Sequence, residues 1–203
     1  MNVEQTRLSK PVKLAEWISD YLNPLVICLF MILVLAFRST SNWIDALKWF
    51  SLLCLLCPLP IYFYAFLQVK KGRLSSIFSN AREQRKRIYV AAFLANLAAL
   101  AIMALLGAPL RLLAGVAAGL LILSFFALVN LVWKISIHTA FASALSALVI
   151  ASFGSGYLVI VVLPLVMGWS RVQLAEHTLG QVISGGMIAF MVIFVVFKNF
   201  GAV

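Results

Sequence analysis

The chain has 203 residues, of which 64% are hydrophobic and 11% are charged, and sixteen Lys and Arg outnumber six Asp and Glu. A soluble domain is about 45–50% apolar and about 25% charged, so this composition excludes a soluble globular protein and a disordered chain. The net charge of +10 lies in clusters between long apolar runs. This pattern indicates membrane topology and excludes a nucleic-acid-binding module. We therefore expect an all-α, polytopic integral membrane helix bundle.

The apolar runs predict six to seven transmembrane helices, because about 20 apolar residues cross the hydrocarbon core as a helix. The predicted crossings are 21–37, 44–67, 88–106, 110–132, 135–153, 156–169 and 181–198. The sixth run is short and contains Pro164, so the count lies between six and seven. No long polar linker interrupts the pattern, and residues 21–203 are therefore assigned to one transmembrane domain.

The first 20 residues are polar and basic, and they form a separate cytoplasmic or interfacial segment in this interpretation. Within residues 1–20, the pattern from position 8 onward is that of a short amphipathic helix. Its apolar side chains Leu14, Trp17 and Ile18 are expected to face lipid.

The distribution of basic residues predicts the orientation, since short cytoplasmic loops are rich in Lys and Arg. The stretch 68–87 holds seven basic residues against one acid, Glu83. Placing this stretch in the cytoplasm puts the N-terminus, Lys134 and Arg171 on the same side, where twelve basic residues face four on the other side. We expect an integral protein of the bacterial inner (plasma) membrane with its N-terminus in the cytoplasm.

The three cysteines all lie inside apolar runs. Cys54 and Cys57 have the spacing of half a metal site, but no second Cys or His pair lies near them. We interpret them, with Cys28, as small apolar core residues. Neither a metal nor another cofactor is expected.

Ionisable residues are few enough at membrane depth to carry functional information. After Glu83 the chain has one acid, Glu176, which excludes catalysis by paired carboxylates and a proton relay built on buried Asp or Glu. Its two histidines, His138 and His177, each lie at or just outside the start of a predicted crossing, on the basic side.

The spacing around the histidines predicts a cation-rich site. Lys134 and His138 are four residues apart and share one face of a helix. His177 and Gln181 are also four apart, and Arg171 precedes His177 by six. With the pair Arg82 and Arg85 at the start of the third crossing, these groups suit a phosphate-bearing headgroup.

Two segments, 134–139 and 170–182, resemble motifs of the type 2 phosphatidic acid phosphatase superfamily. The family's second motif is Pro-Ser-Gly-His, and Ser136-Ile-His138 keeps its Ser and His. The third motif is Ser-Arg, five residues, His, three residues and Asp. Ser170, Arg171 and His177 match it, with Gln181 at the position of Asp. Arg82-Glu-Gln-Arg85 is similar to an Arg-rich first motif of divergent bacterial members, so the resemblance covers about residues 80–200.

The resemblance implies metal-independent, two-step hydrolysis of a lipid phosphomonoester or pyrophosphate, of the phosphatidic acid or polyprenyl phosphate type. It implies that His177 attacks phosphorus and that His138 protonates the leaving oxygen and then activates water. Gln181 would orient the nucleophilic imidazole by accepting its hydrogen bond. The implied phosphate-binding residues are Arg171, Arg82, Arg85, Lys134, Ser136 and Ser170.

Two other interpretations remain open. Without the motif's Asp, the same scaffold could bind or transport anionic phospholipids, with lipids as its partners and no turnover. A structural role in assembly, including a homo-oligomer, would draw on the small residues Gly115, Gly119, Gly185 and Gly186 for close helix packing.

Overall fold

The computed structural model describes residues 10–78 and 81–200, and in this part of the chain 83% of residues are helical and none forms a strand. The α-helices are α1 Lys10–Tyr21, α2 Pro24–Ser39, α3 Trp43–Leu56, α4 Pro58–Lys70, α5 Arg82–Leu105, α6 Leu110–Val129, α7 Ile137–Phe153, α8 Val162–Gln173 and α9 Leu179–Asn199. A 3₁₀ helix, Ser155–Val161, precedes α8. The predicted all-α class is confirmed.

Five helical segments are long and apolar enough to cross a membrane. They are Trp43–Lys70, Arg82–Leu105, Leu110–Val129, Ser155–Gln173 and Leu179–Asn199. Helices α1 and α2, bent by 46°, make a sixth if they are counted as one span, and α7 is a shorter apolar helix of 17 residues. The described residues therefore contain five helices of membrane-spanning length, or six with the bent pair, where six to seven were predicted, and the bundle is compatible with a membrane.

Helix α1 has the predicted amphipathic character, but one of its faces belongs to the bundle. Leu14 and Trp17 are exposed as predicted, whereas Ile18 is buried against Ile27 and Met167. The expectation that Ile18 faces lipid is therefore wrong, because α1 packs against α8 instead of lying free at the interface. Residues 1–9 of the predicted segment lie outside the described residues.

Helix α7 is the centre of the bundle. Twelve of its 17 residues are buried, most of them Ala or Ser, and it packs against α2, α8 and α9. Small side chains allow helix backbones to approach closely where lipid provides little hydrophobic drive for association. A close backbone approach joins the start of α7 to α9, because a Cβ atom at Gly185 would lie 2.6 Å from the Ser136 carbonyl oxygen. The predicted close packing at Gly185 and Gly186 is confirmed.

We expect Gly185→Ala to destabilise the protein, because the added methyl group has no space beside the Ser136 backbone. Overpacking of this kind costs about 1–3 kcal/mol. Thermal unfolding of the purified protein in detergent measures the effect. Gly156→Ala is the matched control, since nothing lies within 4 Å of a Cβ atom there, and equal midpoints for the two variants would contradict the prediction.

Candidate functional site

Four helix ends meet at one end of the bundle, where α5, α7 and α9 begin and α8 ends. Hydrogen bonds join the connecting segments: Arg85 Nη1 donates to the Ile135 carbonyl oxygen at 2.9 Å, and Lys134 Nζ donates to that of Glu176 at 2.8 Å. This end gathers a set of ionisable side chains that we call the polar cluster: Arg85, Lys134, His138, Arg171, Glu176 and His177.

His177 lies in the loop between α8 and α9 and is buried. Its Nδ1 atom lies 3.1 Å from Gln181 Oε1, which is the hydrogen bond that the resemblance implies. Gln181 Oε1 also accepts the backbone N–H of Thr178 at 3.2 Å, within a capping box that begins α9. A backbone amide can only donate, so this Gln181 atom is the carbonyl oxygen and His177 Nδ1 must carry a proton. The other ring nitrogen, Nε2, therefore holds the lone pair of the neutral ring.

The surroundings of His177 keep it neutral. Burial, followed by the charges of Lys134 and Arg85, lowers the pKa of His177 to about 3; the hydrogen bond to Gln181 opposes this shift and Arg171 adds to it. At neutral pH the imidazole is therefore an unprotonated base, the form that a nucleophile or general base requires.

The second histidine lies in the first turn of α7. His138 is buried, and its ring meets that of Phe78 edge-on, with 5.7 Å between ring centroids. It is close enough to Arg85, Arg171 and His177 for their charges to act on its ring. The fold therefore brings together two histidines that are 39 residues apart in the chain.

Arg171 is held on two sides at the end of α8. It is 5% exposed, its Nη1 donates to Ser19 Oγ at 2.6 Å, and its Nη2 lies 3.7 Å from Glu176 Oε2. Its buried Nε has no hydrogen-bond partner among the described residues. A buried charged donor without a partner is costly, so this atom marks a place where an anion would be stabilised.

Glu176 is the functional residue that the sequence reasoning missed. Its carboxylate lies 3.8 Å from Lys134 Nζ as well as 3.7 Å from Arg171 Nη2. The cations of the polar cluster therefore have a carboxylate partner. Burial, with the charge of Arg85, lowers the pKa of Lys134, while Glu176 opposes that shift. The sequence signal for Glu176 was its position directly before His177.

Three residues of the predicted phosphate site have other partners. Ser136 is fully buried and caps α7 through Thr139, and Ser170 Oγ donates to the Ala15 carbonyl oxygen at 2.7 Å. Arg82, one turn before Arg85, donates to the Leu131 carbonyl oxygen at 3.1 Å and pairs with Glu83. In the structure the side chains of these three residues have partners within the fold, and their part in phosphate binding stays a prediction.

The bonds from Ser170 and Arg171 make α1 part of the cluster's support. Ala15 and Ser19 are both buried on the face of α1 that packs on α8. Small residues four positions apart on a helix were the available signal for this contact. In the described residues, the polar cluster included, no three His, Cys, Asp or Glu side chains lie close enough to hold a metal ion.

We expect the protein to lose stability on acidification, because folded His177 resists protonation. Above pH 6.5 the ring is neutral in both states, whereas between pH 6.5 and about 3 the unfolded chain binds a proton that the folded chain does not. The free energy of unfolding therefore decreases as the pH is lowered through this window. At pH 4 it is roughly 3 kcal/mol smaller than at neutral pH. Thermal unfolding as a function of pH measures it, and His177→Asn should flatten the slope. Identical pH profiles for the variant and the parent protein would contradict this.

The polar cluster combines two histidines, one of them held in a defined tautomer, with three cationic side chains and one carboxylate. In comparisons with known proteins, no family model, curated protein or solved structure matches the chain.

Proposed function

We propose that this chain is an integral membrane phosphatase that hydrolyses the phosphomonoester or pyrophosphate of a lipid at the polar cluster. One observation carries the proposal: the Gln181 carbonyl oxygen accepts the Nδ1 proton of His177, which leaves Nε2 unprotonated beside cationic side chains. A buried neutral imidazole with a fixed tautomer is the arrangement that nucleophilic catalysis by histidine requires.

The charge of the cluster suits a phosphate group. Arg85, Lys134 and Arg171 supply three positive charges, and Glu176 supplies one negative charge. A phosphomonoester carries about −1.5 to −2 at pH 7, which matches the remaining excess. The unpaired Nε of Arg171 provides a donor for one of its oxygens, and Arg is the side chain best suited to bind phosphate through several hydrogen bonds.

The mechanism follows from the two ring environments. The lone pair of His177 Nε2 attacks phosphorus and the bond from phosphorus to the lipid oxygen breaks. His138, which takes up a proton when the anionic phosphate binds beside it, donates that proton to the lipid oxygen. Water then attacks the phosphohistidine and gives a proton to His138, and the P–N bond breaks to release inorganic phosphate. Arg171, Arg85 and Lys134 stabilise the charge that develops on the phosphoryl oxygens.

The orientation of the basic residues supports a cytoplasmic site. The seven-crossing arrangement, with α1 and α2 as one bent span and α7 as another, returns the loops before α5, α7 and α9 to the side of the N-terminus. That side carries the excess of Lys and Arg. We propose that the polar cluster lies at the cytoplasmic face of the membrane.

Phosphate release by the purified protein tests the proposal. In detergent and with EDTA present, we expect release of inorganic phosphate from phosphatidic acid or from a polyprenyl phosphate. No release from either class, by protein whose thermal unfolding is cooperative, would overturn the catalytic function.

The same experiment addresses the alternative function, binding or transport of anionic phospholipids without turnover. Gln181 favours that function, since an amide cannot supply the negative charge that stabilises an imidazolium. A binder predicts saturable lipid binding that weakens in Arg171→Ala and is unchanged in His177→Asn, with no phosphate released.

A further inference from the structure

A narrow apolar cavity begins at the polar cluster and runs into the bundle. Its volume is about 300 Å³, and it is lined by α2, α3, α4, α5, α6, α7 and α9. Arg85 and His138 belong both to its wall and to the polar cluster. The cavity is therefore continuous with the site that we assign to the phosphate.

The cavity is deep in comparison with its volume. Along α5 its wall extends from Arg85 to Asn96, and along α7 from His138 to Leu148. At 1.5 Å per helical residue these distances are about 15–17 Å, roughly half of the hydrocarbon core of a bilayer. A volume of about 300 Å³ over that depth has room for one hydrocarbon chain.

A phenol and a guanidinium lie side by side at the cluster end of this cavity. Tyr89 lies one helical turn from Arg85, lines the cavity and is 5% exposed. The two side chains are close enough to interact, and both groups can donate hydrogen bonds. This end of the cavity therefore suits a ligand that carries hydrogen-bond acceptors there and is apolar beyond it.

We propose that this cavity binds the single hydrocarbon chain of a lipid phosphate whose headgroup lies at the polar cluster and contacts Tyr89. The inference rests on the proposed function and narrows it to single-chain lipids, such as alkyl or isoprenyl phosphates, in preference to two-chain phosphatidic acid. The apolar wall suits the chain and the cationic end suits the headgroup, so both ends of one molecule are matched.

Gly119 provides the variant that fills the cavity. It lies on α6 in the cavity wall, and a Cβ atom there would be 3.5 Å from its nearest neighbour, Asn96 Oδ1, which is an ordinary contact. Gly119→Leu therefore places a side chain in the space of the lipid chain without a clash at Cβ. Ala98→Leu adds a side chain on an exposed face of α5, outside the cavity, and is the matched control.

The test compares a long-chain alkyl phosphate with water-soluble para-nitrophenyl phosphate. We expect Gly119→Leu to lower kcat/KM for the alkyl phosphate by about tenfold or more, and to leave para-nitrophenyl phosphate hydrolysis unchanged. Ala98→Leu should change neither. Equal hydrolysis of the alkyl phosphate by Gly119→Leu and the parent protein would overturn the cavity assignment while the phosphatase function stands. Faster cleavage of phosphatidic acid than of alkyl phosphate by the parent protein would overturn the single-chain preference.

Photolabelling makes the inference testable apart from turnover. An alkyl phosphate with a diazirine near the end of its chain should label residues of the α5 and α7 cavity wall, and Gly119→Leu should suppress this labelling. If no substrate is hydrolysed, the proposed function fails, yet labelling of the wall still supports a lipid phosphate site. Labelling confined to exposed residues, such as Leu94 and Leu97, would overturn it.

Discussion

Replacement of His177 by Asn is expected to abolish phosphate release while leaving the protein folded. The His177 side chain supplies the nucleophilic Nε2 atom in the proposed mechanism. Removing the nucleophile from a set of catalytic residues that act together lowers turnover by a factor on the order of 10⁴ or more. Asn is smaller and polar and occupies a loop position before α9, outside the packed centre of the bundle. The measurement is phosphate release per mole of protein with EDTA present.

The phosphohistidine provides a second, direct readout of the same prediction. After rapid acid-free quenching, parent protein incubated with ³²P-labelled substrate should carry an acid-labile label, and His177→Asn should carry none. His138→Asn is the matched control, because para-nitrophenolate leaves without a proton and the phosphoenzyme should then form and accumulate. Phosphate release by His177→Asn within tenfold of the parent value would exclude His177 as the nucleophile.

The helices were predictable because a membrane span needs a run of apolar residues, and that requirement is local in sequence. The capping box from Thr178 to Gln181 was equally local, since its hydrogen bonds join residues three positions apart. The gathering of His138 and His177 followed from an even number of crossings between them. These features depend on chain order and helix geometry and on no particular side-chain contact.

The partners of the polar side chains were not predictable in the same way. Ser170 donates to Ala15 and Arg171 to Ser19, across more than 150 residues. Spacing alone cannot show that α1 lies against α8, because an amphipathic face fits either lipid or another helix. Ser136 illustrates a related point: a hydroxyl just before a helix can cap it or bind a ligand, and spacing alone did not predict its contact with Thr139.

Gln181→Met is expected to lower turnover by a factor on the order of 10³–10⁴, because it removes the acceptor that holds the His177 tautomer. Met has nearly the shape of Gln but cannot accept the Nδ1 proton, so the ring can place its proton on Nε2 and lose the nucleophilic lone pair. A wrong tautomer with intact geometry costs about 10⁴ in the serine protease triad. The measurement is kcat for phosphate release, with thermal unfolding recorded in parallel.

The control for Gln181→Met must separate the tautomer from the helix cap, since Gln181 Oε1 also accepts the Thr178 N–H. Thr178→Ala removes the other half of the capping box, the bond from Gln181 N to Thr178 Oγ1, and leaves the contact between His177 and Gln181. We expect Thr178→Ala to lose about 1 kcal/mol of stability and less than tenfold in turnover. If both variants lose turnover equally, Gln181 acts only by starting α9, and its hydrogen bond to His177 has no part in the mechanism.

Gln181→Glu extends the comparison. A carboxylate keeps both hydrogen bonds and stabilises the imidazolium, so this variant should raise the pKa of His177 and retain turnover.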